Sequence, residues 1–304
     1  MLKLNSKNSL TIKKLAKEFL SISENERIKT ITEYSEIINV ARGTIQNSLK
    51  VLIDDGAIEI QSKGHLGSFL IKKDFQKLLN FADIKFIAGV MPLPYSKRYE
   101  GLSTGILSEM ESKLNIPVNM SYMRGARKRI EMVIDERYDF AITSKYAALE
   151  YIKENNDIEI IIEFGEHSFL SKHLLITLDK HFTEIKDGMR VGIDYASIDQ
   201  SKLTLNAING KNVKLIEINY NLLIQNLLDL KIDLAIWNGD EVQNKYENVY
   251  LKDINEYNDD NTIAVLLVKK DRNDLKKIIK DSINIDKILE IQNLVIENKI
   301  IPSY

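Results

Sequence analysis

Between Ser9 and Leu20 apolar side chains recur at Leu10, Ile12, Leu15, Ala16, Phe19 and Leu20, a spacing that sets them along one side of a helix. A shorter stretch, Thr32–Ile38, repeats the pattern with Tyr34, Ile37 and Ile38. Asn39-Val40-Ala41 suits a tight turn, and a third helix is then predicted from about Arg42 to Asp55, burying Ile45, Leu49, Leu52 and Ile53 and stopping at Gly56. The period next falls to two in AIEIQS and GSFLI, strands that flank the turn-rich tip Lys63-Gly64-His65-Leu66-Gly67. Helix, short helix, turn, helix and hairpin is the order of a winged helix-turn-helix, expected over residues 1–73.

A polar helical stretch around Leu70–Asp83 reads as a connector, placed at 74–83, and residues 84–304 read as an effector-binding body. There strands and helices alternate. IKFIAGVM (84–91), PVNMSYM (117–123) and DFAITS (139–144) are strands separated by helices near Tyr99–Leu114 and from Gly125 onward. This βαβαβ order implies parallel strands with right-handed crossovers. IEIIIEF and KHLLITL lead into a second lobe, where MRVGIDYAS, VKLIEINY and DLAIWNG are strands; TIAVLLVKK (262–270) is a return strand before the C-terminal helices. The fold class expected is α/β with an N-terminal winged helix-turn-helix and a two-lobed body.

Composition narrows the chemistry. The chain has no cysteine, so disulfides, thiolate metal sites and cysteine nucleophiles are excluded, and its four histidines show no zinc-binding spacing. No metal or cofactor is expected. The N-terminus lacks a signal-peptide h-region and no stretch reaches the roughly 18 apolar residues of a membrane span, so the expectation is a cytoplasmic protein without a membrane partner. Residues 1–80 hold 13 Lys+Arg against 9 Asp+Glu, and the remainder 29 against 35. A mildly basic head on an acidic body suits a double-stranded DNA operator as partner, though four charges are a small bias.

The third helix carries fitting side chains. Arg42, Thr44, Gln46, Asn47 and Lys50 occupy its polar face, where Arg pairs with guanine, Gln or Asn with adenine, and Thr or Lys with phosphate. Lys63, Gly64 and His65 place the wing near the DNA backbone. The segment IINVARGTIQNSLKVLIDDGAIEIQSKGHLGSFL resembles the DNA-binding domain of GntR-type regulators, departing from it by one extra residue between the wing glycines. The body resembles the type II periplasmic-binding-protein fold, and the two together are similar to YhfZ-type regulators over nearly the whole chain. The resemblance implies a homodimer on a pseudo-palindromic operator, answering to a metabolite.

Ligands of parallel α/β lobes lie outside the carboxyl ends of the strands, where helix N-termini favour anions. That rule selects Tyr95, Ser96, Arg124, Gly125, Ala126, Arg127, Thr143, Ser144 and Lys145 in lobe one. In lobe two it selects Asp194, Tyr195, Ser197, Asp199, Trp237, Asn238 and Asp240. The basic groups and hydroxyls of lobe one point to a small anionic metabolite, a carboxylate or phosphate. Other readings stay open: the arginines at 124–129 also fit a solvated helix face, Trp237 a core position, and Asp194 a helix cap. His167 and His173 take no role. Two further functions compete with the regulator, a phosphate-handling transferase-like enzyme with an attached head and a DNA-binding dimerisation scaffold without effector. The first is disfavoured because GxSxG, GxxxxGK[ST] and GxGxxG are all missing.

Overall fold

A computed structural model of the chain describes residues 7–242, 246, 248–254 and 259–304; residues 1–6 of the expected head lie outside that set. Two compact units emerge. One runs from the N-terminal segment through Ile87 and adds Glu111–Pro117 and Asp271–Ser282; the other holds Ala88–Met110, Val118–Lys270 and Ile283–Tyr304.

In the first unit α1 (Lys7–Ser21) buries Leu15, Ala16, Phe19 and Leu20. Helix α2 (Ile31–Ile38) starts at a capping box, in which the Thr30 hydroxyl accepts the Glu33 N–H and the Glu33 carboxylate accepts the Thr30 N–H at 2.6 Å. It buries Tyr34 and Ile38 but leaves Ile37 62% exposed. The i, i+4 pair faces the core, and the neighbouring Ile37 is turned about 100° away from Ile38. The same geometry corrects Ile53. In α3 (Arg42–Asp54) Ile45, Ser48, Leu49 and Leu52 form the buried row and Ile53 faces outward. Strands β1 (Ile58–Ser62) and β2 (Ser68–Lys73) pair antiparallel around a 3₁₀ turn at Gly64–Leu66. Leu70–Lys73 are therefore strand rather than connector, and α4 (Phe75–Ala82) begins after the cap Asp74 and packs on α1.

The second unit has two lobes. Lobe one contains β3 (Ile87–Met91), α5 (Lys97–Leu114), β4 (Val118–Tyr122), α6 (Ala126–Ile134), β5 (Phe140–Ser144), α7 (Lys145–Glu154) and β6 (Ile158–Glu163). Lobe two contains β7 (His173–Thr177), β8 (Arg190–Ile193), α8 (Ile198–Ala207), β9 (Lys214–Glu217), α9 (Leu223–Leu228), β10 (Leu234–Asn238), α10 (Gly239–Val242) and β11 (Tyr250–Asp253). The chain then returns to lobe one as β12 (Ala264–Lys269).

The sheet orders are β4-β3-β5-β12-β6 and β11-β7-β10-β8-β9. β3 and β5 are parallel, as are β10, β8 and β9, whereas β12 and β7 run against their neighbours. Passing from β6 to β7 and back from β11 to β12, the chain crosses between lobes twice.

Two helices end the chain. α11 (Asn273–Ser282) belongs to the first unit, where it packs on α1 and buries Leu275, Ile278 and Ile279. α12 (Ile285–Ile296) lies against α5 at Gly101 and Gly105, where a Cβ would come within 2.8 Å of the Gln292 and Ile288 backbone.

Candidate functional site

Two places gather the residues selected from the sequence. The first is α3. Arg42, Gln46, Asn47 and Lys50 are exposed and Thr44 half-buried, and their side chains have no hydrogen-bond or ion-pair partner among the described residues. Underneath, Ser48 Oγ donates to Asn8 Oδ1 at 2.9 Å and fixes α3 against α1. The N-cap of α3 is Ala41, which supplies no side-chain cap, and Arg42 follows it. An uncapped helix start carrying a cation opposes the helix dipole, whereas the free N–H groups and guanidinium suit phosphate. In the wing the Lys63 ammonium lies 4.6 Å from the Phe69 ring centroid, and Gly64 and His65 form the exposed tip. Gly67 holds φ 93°, and a Cβ there would meet Arg27 Nε at 2.8 Å.

The second place is a cleft of about 590 Å³, open to solvent, between the lobes of the second unit. Seven of the selected residues line it: Tyr95, Arg124, Gly125, Ala126, Asp194, Ser197 and Asp199. Gly125 caps α6 with φ 86°, and a Cβ on it would meet Ala196 O at 3.2 Å, so the lobes come close at this point. Arg124 is half-buried and makes no hydrogen bond or ion pair among the described residues. Both carboxylate oxygens of Asp194 are held, Oδ1 by the Ala196 N–H at 2.9 Å and Oδ2 by the Tyr220 N–H at 2.7 Å. Asp199 is buried, and the Ser144 hydroxyl approaches its two oxygens at 2.8 and 2.7 Å. Burial raises its carboxyl to about 6.

The remaining selected residues stand behind the cleft or away from it. Buried Ser96 caps the start of α5, accepting the Tyr99 N–H. Arg127 turns outward to Glu154 and lies over the Tyr151 ring. Thr143 is buried, and its hydroxyl has no partner among the described residues. Ser144 acts through Asp199, and Lys145 pairs with Glu163 and Asp260. Trp237 belongs to the lobe-two core, stacked under Tyr220 at 4.2 Å and 8°. Asn238 is buried, accepts the Asp240 N–H and donates its own N–H to the Tyr220 hydroxyl at 2.9 Å. Asp240 accepts from Arg98, and Tyr195 is exposed.

Five further polar side chains line the wall: Tyr99, Arg129, His173, Tyr220 and Glu241. Arg129 is buried, donating Nε to Ile142 O at 3.1 Å and Nη1 to Met123 O at 2.9 Å. Burial lowers it to about 10, so it stays charged at neutral pH. Burial lowers the His173 imidazole to about 4, leaving it neutral, with no partner for Nδ1 among the described residues. Tyr99 and Arg129 sit three to four residues past Ser96 and Gly125, a helical turn beyond the strand-end loops. Extending the strand-end rule by that turn finds both. His173 has no such signal: it opens an antiparallel strand opposite Asn238, which places it at the carboxyl edge of the parallel strands.

Comparison with known proteins agrees with this architecture. The family model described as YhfZ C-terminal domain matches residues 74–304, and one described as Helix-turn-helix domain matches 23–70. The protein YhfZ of Escherichia coli (strain K12) is 30% identical over 302 residues, covering 98% of each chain. The crystal structure of YhfZ from Shigella flexneri superposes with a TM-score of 0.63 at 28% identity, covering 76% of this chain and 98% of that one. An arginine-bound amino-acid transporter binding protein, AbpA from Streptococcus pneumoniae, shares the two-lobed fold at TM-score 0.52 and 14% identity, over 71% of this chain and 94% of its own. Among the described residues no helix is long and apolar enough to cross a membrane, and no group of His, Asp and Glu is placed to hold a metal ion.

Proposed function

Because this chain belongs to the YhfZ family and joins a helix-turn-helix to a two-lobed binding-protein-like body, we propose that it is a cytoplasmic, ligand-responsive transcriptional regulator. In this reading residues 1–73 form a GntR-type head, 74–83 connect it, and 84–304 form the sensor. One observation carries the DNA half: the outer face of α3 presents Arg42, Gln46, Asn47 and Lys50 to solvent with no partner of their own among the described residues. Those donors match base edges and phosphates in a major groove, and a homodimer sets two such helices on the half-sites of a pseudo-palindrome. The cleft supports the sensor half. Arg124, Arg129 and the first turn of α6 offer cationic and N–H groups to a carboxylate or phosphate. A ligand that binds one arrangement of the lobes better than another shifts the population of DNA-competent heads.

The test is binding to a site selected from random duplexes, measured with the intact protein. The double variant Arg42→Ala, Gln46→Ala should keep its melting temperature and lose about 1–3 kcal/mol of discrimination for each bidentate contact removed. Specific binding that survives undiminished in the folded double variant would show that α3 is not the recognition helix. Turnover of a cleft ligand by the purified protein would instead favour an enzyme.

A further inference from the structure

The walls of the cleft carry opposite charge. Lobe one contributes Arg124 and Arg129, and lobe two contributes Asp194, Asp199 and Glu241. These groups differ in what they have left to offer. Asp194 already accepts two backbone N–H groups, one on each oxygen. Among the described residues Asp199 receives the Ser144 hydroxyl as its one side-chain donor, with its own backbone N–H beside it, so a carboxylate with about four acceptor sites keeps capacity for more. Among the described residues Arg129 donates to two main-chain carbonyls and makes no bond to a carboxylate, and Arg124 makes no hydrogen bond or ion pair.

Arg129 and Asp199 are 4% and 7% exposed, face the same open volume and feel each other's charge, yet they are not in ion-pair contact. Two opposite buried charges held apart bear the desolvation penalty without the Coulombic return of a direct pair. A ligand that is only an anion satisfies the arginines but brings its charge toward Asp199 and Glu241. A ligand that is only a cation meets the reverse problem. One small molecule bearing both charges completes both walls. Between them Tyr95, Tyr99, Phe169 and Tyr220 supply aromatic surface, which suits an ammonium as well as an apolar substituent.

We propose that the cleft takes a small zwitterion of the free amino-acid type, its carboxylate on Arg124, Arg129 and the start of α6, its ammonium on Asp199. This inference rests on the cleft being the ligand site proposed above. It also supplies a reason for coupling, because a zwitterion binds one lobe by each end and favours their approach.

The experiment is thermal shift followed by calorimetry on the full chain. The probes are the twenty protein L-amino acids, their N-acetyl derivatives, the corresponding decarboxylated amines, and a set of simple carboxylates and phosphate esters. The expected result is a saturable rise in melting temperature with at least one free amino acid, as for any ligand specific to the native state. Both its N-acetyl and decarboxylated forms should bind about tenfold more weakly or worse, each having lost one charged contact. Arg124→Gln and Asp199→Asn should each weaken the amino acid by a similar factor. Arg124→Gln removes no hydrogen bond or ion pair among the described residues and should leave the ligand-free melting temperature close to that of the native chain. Amino-acid affinity unaltered in both variants would overturn the proposal. Carboxylates or phosphate esters binding as tightly as any amino acid would overturn the zwitterion and leave the sensor reading standing. Silence from every compound would overturn both.

Discussion

Asp199 and His173 line one cleft, and burial moves their titrations in opposite directions. The Asp199 carboxyl rises from 3.8 to about 6, so between those pH values the folded protein holds a proton that the unfolded chain has released. Stability from this group therefore falls as pH rises through the window, and above it the charged form costs up to about 3 kcal/mol. The His173 imidazole falls from 6.5 to about 4, so its stability penalty grows as pH drops through that range. The two slopes oppose each other in the native protein. Asp199→Asn separates them: the variant should melt higher than the native chain near pH 7.5, and the gap should close by about pH 4. A gap of constant size across that range would show that Asp199 is not an energetically strained carboxylate. The same substitution is expected to weaken the amino acid, a trade of stability for binding common at functional sites. Strand-end logic alone reaches Asp199, because it lies in the first turn of α8, the helix that follows β8. The identity of its donor, Ser144 of the other lobe, depends on how the two lobes meet and leaves no mark in local sequence.

At the scale of elements, order and type were legible throughout the head and the first three strands of the body, since their apolar periods are clean and their ends are marked by Gly56, Gly125 and the Pro-rich loop after β3. What pattern reading misplaced were the sides of short helices, where Ile37 and Ile53 face out, and the start of α2. The signal for that start stands in the sequence as Thr30-x-x-Glu33, two residues ahead of the boundary that periodicity suggests. The box closes two otherwise unsatisfied N–H groups on the helix that supports α3. Thr30→Ala should destabilise the protein by about 1 kcal/mol, within the range for lost N-caps, read as a lower midpoint in urea at unchanged slope. A midpoint that does not move would mean that Glu33 alone holds the turn. α3 itself has no such cap, and the uncapped end carries the side chains proposed to meet DNA. A local rule broken there and obeyed in α2 is the pattern expected where function outweighs helix stability.

At the scale of the whole molecule the first unit is assembled from three separated stretches of chain, and this was not legible in the sequence. The polar and apolar pattern of 273–282 predicts an amphipathic helix equally well for either unit; only long-range packing assigns it. α11 presses Leu275, Ile278 and Ile279 onto the unit containing α1, and Asp274 stays buried beside Arg272 at 2.9 Å with Lys17 Nζ at 4.0 Å. Gln76 likewise donates to Leu114 O at 2.8 Å in the segment 111–117. The strand before α11 is β12, which is hydrogen-bonded in the middle of the lobe-one sheet and leads into α11 within four residues. A fragment ending at residue 83 carries the entire helix-turn-helix yet lacks both additions. Its face on α1 would lose three large apolar partners, and large-to-small losses of single core residues already cost about 2–5 kcal/mol. Such a fragment should melt well below the intact chain and bind the selected duplex only when cooled. Circular dichroism melts and duplex titrations on fragment and full chain decide the matter. A fragment that unfolds cooperatively at the temperature of the intact protein would mean that α11 is a passenger on the head.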